Sequence, residues 1–431
     1  MIEIITCLRG EKSDGRIFAY SIDGPQVLPQ PYPYSIDIFG WIVLKTAEVC
    51  RIKVVGCGVV LQEGVPWTSR PDVVEHIQTN PKATPAILEI AMKSGFHLSV
   101  SLLGMPAVFS LEVIVCYEDG AERGLATLTG RRDFLIPKFQ PVLQPLITVH
   151  LGRSGSTWLM HLLAQHPQIL VHQRYPFESV VARHALRVAA VLGAPHSPPV
   201  QRDLQMLIGG FKMGPLPQYC EHEDVETQRW FRTQSVERHA EFALESIDAF
   251  HLALAARQGL QPRYFAEKAF MRSSAWGMYR EFYPRLRSLF LVRDFRDICC
   301  SRYFFSRDVA AGRKDRSWEE VIRILAAHST ELLEAWRQLE ESSHLIKYEE
   351  LAADPALVLT RLFHYLDLDA SPGLVQDVLA QNTIDTLRMA RHQTSGSTRN
   401  SLQRWKRDMT PEQLALANEL GAPMQQAFGY I

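Results

Sequence analysis

Long apolar runs are missing from this chain. No stretch reaches the length a bilayer span requires, and the opening residues, Met1 to Arg16, mix charges among their apolar side chains where a secretory leader would be uninterrupted. Cytoplasmic residence is the expectation. An excess of one sign of charge is also lacking, with 46 basic against 47 acidic side chains and a formal net charge of -1. Nucleic acid and anionic membranes therefore have no general electrostatic claim on the molecule, and any anion site must be local. Paired cysteines are absent as well. The 7 cysteines are odd in number, irregularly spaced and without a C-x-x-C pair, which excludes a regular disulfide framework and suits a reducing compartment. Cys220 with His222 is the nearest approach to a zinc half-site and has no second half, so no metal is expected.

At 431 residues the chain exceeds one compact core, and two domains are expected. Between Ser35 and about Gly130, turn-bounded runs rich in β-branched and aromatic residues predict strands over Ile36–Leu44, Arg51–Val60, Phe96–Leu103 and Val108–Tyr117. In the last of these Phe109, Leu111, Val113, Val115 and Tyr117 recur with period two, and Asp119-Gly120 follows as a hairpin turn. The reading is a smaller, mostly-β antiparallel sandwich over residues 1–135. Pro137, Pro141 and Pro145 then interrupt ladder and helix alike and place a boundary, leaving residues 136–431 as the second domain. There apolar strands alternate with helices. Leu146–Leu151 leads into a helix from Ser156 to His166; a helix capped by Ser235 and stopped by Gly259 follows; Ser288–Val292 and His344–Ile346 are further strands. The expected class is α/β, a parallel sheet flanked by helices with its ligand crevice beyond the carboxyl ends of the strands.

Three motifs fall at those strand ends. Leu151-Gly152-Arg153-Ser154-Gly155-Ser156-Thr157-Trp158 joins strand to helix through small residues, so that backbone N–H groups and hydroxyls converge on an anion at the helix N-terminus. A tight turn serving packing alone is the plainer reading. A Walker loop would place a lysine before the hydroxyl residues, and none precedes Ser156 or Thr157. Leu289–Val292 with Arg293-Asp294 has the outline of a Walker B strand, but Arg293 intervenes between strand and acid. Arg293 and Ser301 stand eight residues apart, and Lys347-Tyr348-Glu349-Glu350-Leu351 is followed by Asp354-Pro355.

In type and order these motifs resemble those of the sulfotransferases that use 3′-phosphoadenosine-5′-phosphosulfate (PAPS). The resemblance spans roughly Leu146 to Asp408, and it is closer to the tyrosylprotein and carbohydrate types than to the cytosolic aryl type. It implies a P-loop sulfotransferase domain in which Arg153, Ser154, Gly155, Ser156, Thr157 and Trp158 hold the 5′-phosphosulfate. Arg293 and Ser301 would hold the 3′-phosphate, aided by Arg399 or Arg404 in the run Gly396 to Lys406. Charge agrees with the absence of the Walker lysine and of metal: a transferred sulfonate bears one negative charge where a terminal phosphoryl group bears about two and usually needs a divalent ion. A 3′-phosphate dianion suits an arginine fork with a nearby hydroxyl.

For the chemistry the resemblance implies cations at the bridging oxygen, Lys268 first and Arg153 second. Lys268 lies 25 residues before Arg293, close to the catalytic lysine of cytosolic members. Where those members carry a histidine base, this chain has Phe270. The tyrosylprotein and some carbohydrate types use instead a glutamate after the first helix, which points to Glu178, with His172 in reserve. Plainer roles are open for each: an ion pair of Arg293 with Asp294 or Asp297, of Lys268 with Glu267 or Glu241, and a helix N-terminal acid for Glu178. Gly209–Gln218 and Glu221–Glu226 fall where the family varies with its acceptor, a hydroxyl on a carbohydrate, lipid, metabolite or tyrosine. Nucleic acid is not an expected partner, and the sequence does not set the oligomeric state. Two rivals stay open: a P-loop kinase or other NTP-dependent transferase, and a non-catalytic β-sandwich binding protein with a vestigial P-loop.

Overall fold

The structure is a computed structural model that describes residues 1–10, 15–48, 50–174, 177–195, 225–270, 273–308, 316–381 and 401–431. It divides into two units, one of Met1–Phe139 with Leu186–Ala243 and one of Gln140–Ala185 with Leu244–Ile431.

The first unit holds two antiparallel sheets. One has the order β1-β8-β7-β4-β5, from β1 (Ile2–Arg9), β4 (Cys50–Gly56), β5 (Val59–Gly64), β7 (Val108–Tyr117) and β8 (Glu122–Arg132). The other has the order β2-β3-β6, from β2 (Ile17–Gly24), β3 (Ser35–Leu44) and β6 (Gly95–Ser101). Ile36, Ile38, Leu98 and Val100 share one buried core with Leu111, Val113, Val115 and Leu128, so the two sheets face each other across it. The β7 alternation is as expected, and the turn at Asp119-Gly120, with Gly120 at φ 83, delivers the chain to β8. Arg51–Val60 is a hairpin rather than one strand. Cys57 (φ 50) and Gly58 (φ 70) form its two-residue turn, the left-handed pair that suits twisted strands. Two helices not foreseen, α1 (Pro71–Ile77) and α2 (Pro85–Met92), begin at prolines and cover Trp41 and Val43 on the outer face of β3.

The second unit is built on a five-stranded parallel sheet, β10-β11-β9-β12-β13, from β9 (Gln144–His150), β10 (Ile169–Leu170), β11 (Tyr264–Phe270), β12 (Arg287–Val292) and β13 (Ser343–Lys347). Helix α3 (Ser156–Leu163) follows β9 and stops three residues short of His166; α4 (Val181–Leu192) begins in this unit. Ser235 is not an N-cap. It sits in a π turn, Phe231–Ser235, that runs α5 (Val225–Trp230) straight into α6 (Val236–Gln258). Within the first unit this turn buries Arg232, whose Nε donates to Ser35 Oγ (2.8 Å) and whose Nη1 donates to Asp37 Oδ2 (2.8 Å), so tertiary anchoring overrides the local capping preference. Gly259, at φ 65, ends α6 as expected.

Further helices are α7 (Ser273–Phe282), α8 (Phe295–Asp308), α9 (Trp318–Leu339), α10 (Tyr348–Ala353), α11 (Pro355–Tyr365) and α12 (Pro372–Ala380). One sheet face packs Leu146, Ala266, Leu289, Leu291 and Ile346 against α3, α10, α11 and α12. On the other, Phe265 stacks on His251 of α6 and Phe290 meets Trp336 of α9 edge to face. With both faces covered, the strand interiors are largely apolar, as at Leu146, Ile147, Val149 and Leu289–Val292, while Thr148 and Glu267 are buried polar exceptions. Among the described residues no helix is long and apolar enough to cross a membrane.

Leu291 is fully buried two residues before Arg293. Leu291→Ala is expected to cost about 2–5 kcal/mol through lost burial and the cavity left behind, read as a lower denaturant midpoint for unfolding.

Candidate active site

In a parallel sheet every strand delivers its chain to the same edge. Here that edge receives the loop after β9, Lys268 of β11, Arg293 after β12 and Tyr348 after β13. The loop is shaped by its own backbone. Arg153 (φ 77) and Gly155 (φ 94) both lie in the left-handed region, and buried Ser154 closes the turn by donating from Oγ to Leu151 O at 2.8 Å. Only glycine fits at position 155, where a Cβ would stand 2.5 Å from Cδ2 of the Tyr348 ring. Ser156 is buried at the first turn of α3, and Trp158 meets Tyr348 edge to face with centroids 6.1 Å apart.

On one side of this loop cations crowd together. Arg153 Nε donates to Ser301 Oγ (3.2 Å) and its guanidinium lies over the Phe305 ring. Arg293, only 4% exposed, donates from Nη1 to Arg153 O (3.1 Å) and from Nη2 to Ser401 O, with its guanidinium over Tyr348. Buried Arg404 donates from Nε to Asp408 Oδ2 (2.7 Å) and lies over Phe304. Burial pulls Arg153 down to about 10, and the positive charges of Arg293, Arg302 and Arg404 pull in the same direction. Arg293 Nε is a buried donor with no hydrogen-bond partner among the described residues. Arg293 is thus no surface ion pair: Asp294 is engaged by Arg296, and Asp297 stands 4.0 Å from the Arg293 guanidinium. Burial pushes the Asp297 carboxyl up to about 6, and it accepts the N–H groups of Gln403 (2.7 Å) and Trp405 (3.2 Å), pinning the segment that carries Ser401 and Arg404.

On the other side lies a smaller group. Lys268, 5% exposed, donates from Nζ to Thr157 Oγ1 at 3.1 Å and pairs with Glu178 Oε2 at 3.5 Å. Burial lowers the Lys268 pKa, and Glu178 opposes the shift. The plainer partners for Lys268 are engaged elsewhere: Glu241 accepts the main-chain N–H groups of Lys138 and Phe139, and Glu267 those of Ala182 and Arg183 at the start of α4. The first turn of α4 itself contains no acidic residue, and its N–H groups at Ala182 and Arg183 are met by Glu267 rather than by Glu178. His172 is half-buried, and its Nδ1 has no hydrogen-bond partner among the described residues. Arg399, Cys220, Gly209–Gln218 and residues 221–224 lie outside the described residues, as does the Phe270 side chain.

The geometry adds contacts that motif reading did not single out: Tyr348 over Gly155, Ser401 on Tyr348 and Arg293, and Asp297 beneath Gln403 and Trp405. Only Tyr348 and Asp297 had a visible signal, through their place in strand-end motifs. Among the described residues no group of three or more His, Cys, Asp or Glu side chains gathers in a way that would hold a metal ion.

The profile of the sulfotransferase family matches residues 145–372, more than half of the chain. The chain belongs to the sulfotransferase family. Human sulfotransferase 2A1 is similar to it over 115 residues at 23% identity, which is 25% of this chain and 40% of that sulfotransferase's length. Among solved sulfotransferases, mouse SULT7A1 complexed with PAP aligns at TM-score 0.39 and 11% identity over 65% of this chain and 84% of its own. The sulfotransferase domain of the Synechococcus PCC 7002 olefin synthase aligns at TM-score 0.38 and 17% identity over 67% of this chain and 98% of its own.

His150, buried at the end of β9 with Nδ1 bonded to Leu151 O, is pulled down to about 4 by burial, and the Lys268 charge adds to this. Its ordinary value is 6.5, so as pH falls the unfolded chain takes up this proton first. Stability held at pH 7 is therefore expected to fall between pH ~6.5 and ~4, by on the order of 3 kcal/mol from this group. Urea unfolding at pH 7 and pH 4.5 checks it, and His150→Gln should flatten the dependence.

Proposed function

We propose that this chain transfers a sulfonate group from PAPS to an acceptor hydroxyl by in-line displacement. One observation carries the reading. The guanidiniums of Arg153, Arg293 and Arg404 crowd one side of the loop closely enough that their charges pull Arg153 down, and Arg293 Nε is a buried donor with no hydrogen-bond partner among the described residues. Cations that repel one another in a low-dielectric setting need an anion to offset them, and a phosphate dianion with several acceptor oxygens fits that donor set. The left-handed turn at Gly155, closed by Tyr348, fits a second anion at the helix N-terminus.

On this reading Arg293, Ser301 and Arg404, with Arg399, hold the 3′-phosphate, while Ser154, Gly155, Ser156 and Thr157 hold the 5′ end beside Trp158. PAPS, when bound, supplies the sulfonate in activated form on a good leaving group. Lys268, anchored at Thr157 Oγ1, sets a fixed positive charge at the 5′ end, with Arg153 as the second cation of the site. Glu178 is 32% exposed and held 3.5 Å from Lys268, so its carboxylate oxygen is open to take the proton of an incoming hydroxyl. His172 is the alternative base. The acceptor is a carbohydrate, lipid, metabolite or tyrosine hydroxyl. Residues 1–135 are assigned as an accessory domain and 136–431 as the transferase domain on the ground that every group named for the chemistry lies between Arg153 and Arg404, with Leu186–Ala243 an insertion that groups with the first compact unit. The setting proposed is a reducing cytoplasm, which fits the free thiols of the six described cysteines.

Calorimetry with adenosine 3′,5′-bisphosphate, set against ATP with magnesium, tests the donor. Preference for the bisphosphate is expected; magnesium-dependent preference for ATP would favour a P-loop kinase, and binding of neither a non-catalytic protein. Arg293→Ala is expected to weaken bisphosphate binding by about 1.5–3 kcal/mol, and unchanged affinity would remove the 3′-phosphate assignment. In a labelled-sulfonate transfer assay over glycans, lipids, phenols and peptides, Lys268→Ala and Glu178→Gln should lower turnover with bisphosphate affinity nearly unchanged. Normal turnover in Glu178→Gln would move the base role to His172 or water.

A further inference from the structure

Glu267 is nearly sealed from solvent, at 1% exposure, one residue before Lys268. Burying a carboxylate is costly unless donors surround it. Its donors come mainly from one short segment. Oε1 accepts Ser179 Oγ (3.1 Å) and the N–H of Ala182 (3.0 Å), while Oε2 accepts the N–H of Arg183 (3.4 Å) and the hydroxyl of Tyr279 (2.9 Å). Burial raises the Glu267 pKa, and the Ala182, Tyr279, Arg183 and Ser179 donors oppose the shift. The neighbouring ring of His251 does not supply a compensating charge, because burial pulls it down to about 4. The first turn of α4 is therefore capped from another strand.

Chain geometry explains why this matters. β10 pairs only with Tyr264 and Phe265, so among the described strands the rest of β11 has no neighbour on that side. Successive side chains of a strand point to opposite faces. Lys268 reaches Glu178 from one face, and Glu267 reaches Ser179, Ala182 and Arg183 from the other. The segment 178–183 is gripped at two points by consecutive residues of one strand.

We propose that Glu267 is a positioning residue that fixes the segment bearing Glu178 and so sets the Glu178–Lys268 pair, an inference that rests on the reading of that pair as the acid–base centre. It touches no reacting atom. Small displacements of a catalytic group cost on the order of 10–100-fold in rate, so Glu267→Gln, which places an amide N–H₂ among four donors, is expected to lower kcat by that order. Affinity for adenosine 3′,5′-bisphosphate should stay within about twofold, since the anion-holding arginines are bound elsewhere. A positioning role also predicts non-additivity: in a Glu178→Gln background, Glu267→Gln should cost little more.

The test joins this double-mutant cycle to hydrogen exchange at the amides of Ala182 and Arg183, which should lose protection in Glu267→Gln whatever the reaction catalysed. Fully additive rate losses, or unchanged exchange at both amides, would overturn the proposal. A parent protein that binds no bisphosphate and transfers no sulfonate would sink the functional reading instead, with the exchange experiment still judging the clamp. Should Glu267→Gln not fold, Tyr279→Phe removes a single donor to Oε2. It is expected to give a smaller kcat loss with the same non-additivity, and a kcat equal to the parent would count against the proposal.

Discussion

The hydrogen bond from the Arg293 guanidinium to the carbonyl of Arg153 joins the end of one central strand to the loop leaving its neighbour. Much of the site depends on it. Because β9 and β12 are adjacent and parallel, both segments emerge at one edge, and the guanidinium bridges them. Holding a buried cation there requires acceptors and aromatic faces. Ser401 O, Asp297 and the Tyr348 ring supply them. The same constraint explains why the segment after residue 401 is fastened to α8 through the Asp297 carboxylate: the arginine needs an acceptor that comes from far along the chain.

What was legible in the sequence was what lies in contiguous residues. The loop from Leu151 to Trp158 and the Arg293/Ser301 spacing announced themselves because strand, small residues and cation follow one another without interruption. The β7 alternation was equally plain, since one face of that strand meets a core. The hairpin at Cys57-Gly58 was hidden inside a run of valines that reads as one strand, and only the backbone shows two left-handed residues there. Ser235 misled because its capping chemistry is real but local, and Arg232 outweighs it through contacts nearly two hundred residues away in sequence. Glu267 was read as a plain partner for Lys268 for the converse reason: its donors are 12 to 88 residues away, and no spacing rule links them.

Adjacent residues of β11 illustrate how a strand can divide labour. Lys268 faces the loop hydroxyl of Thr157, while Glu267 faces the start of α4, and neither could serve the other's purpose without a change of face. The family resemblance, drawn on strand-end motifs, does not reach this arrangement, because half of it is a main-chain contact.

The tight approach of Tyr348 to Gly155 has a consequence for which substitutions such a site tolerates. Position 155 cannot enlarge while an aromatic ring occupies its only free space, and the ring cannot leave without releasing Arg293 from its face and Ser401 from its hydroxyl. A side chain at 155 is thus barred twice, by the left-handed backbone and by the ring, so a smaller residue at 348 would loosen the hold on Arg293 without opening position 155.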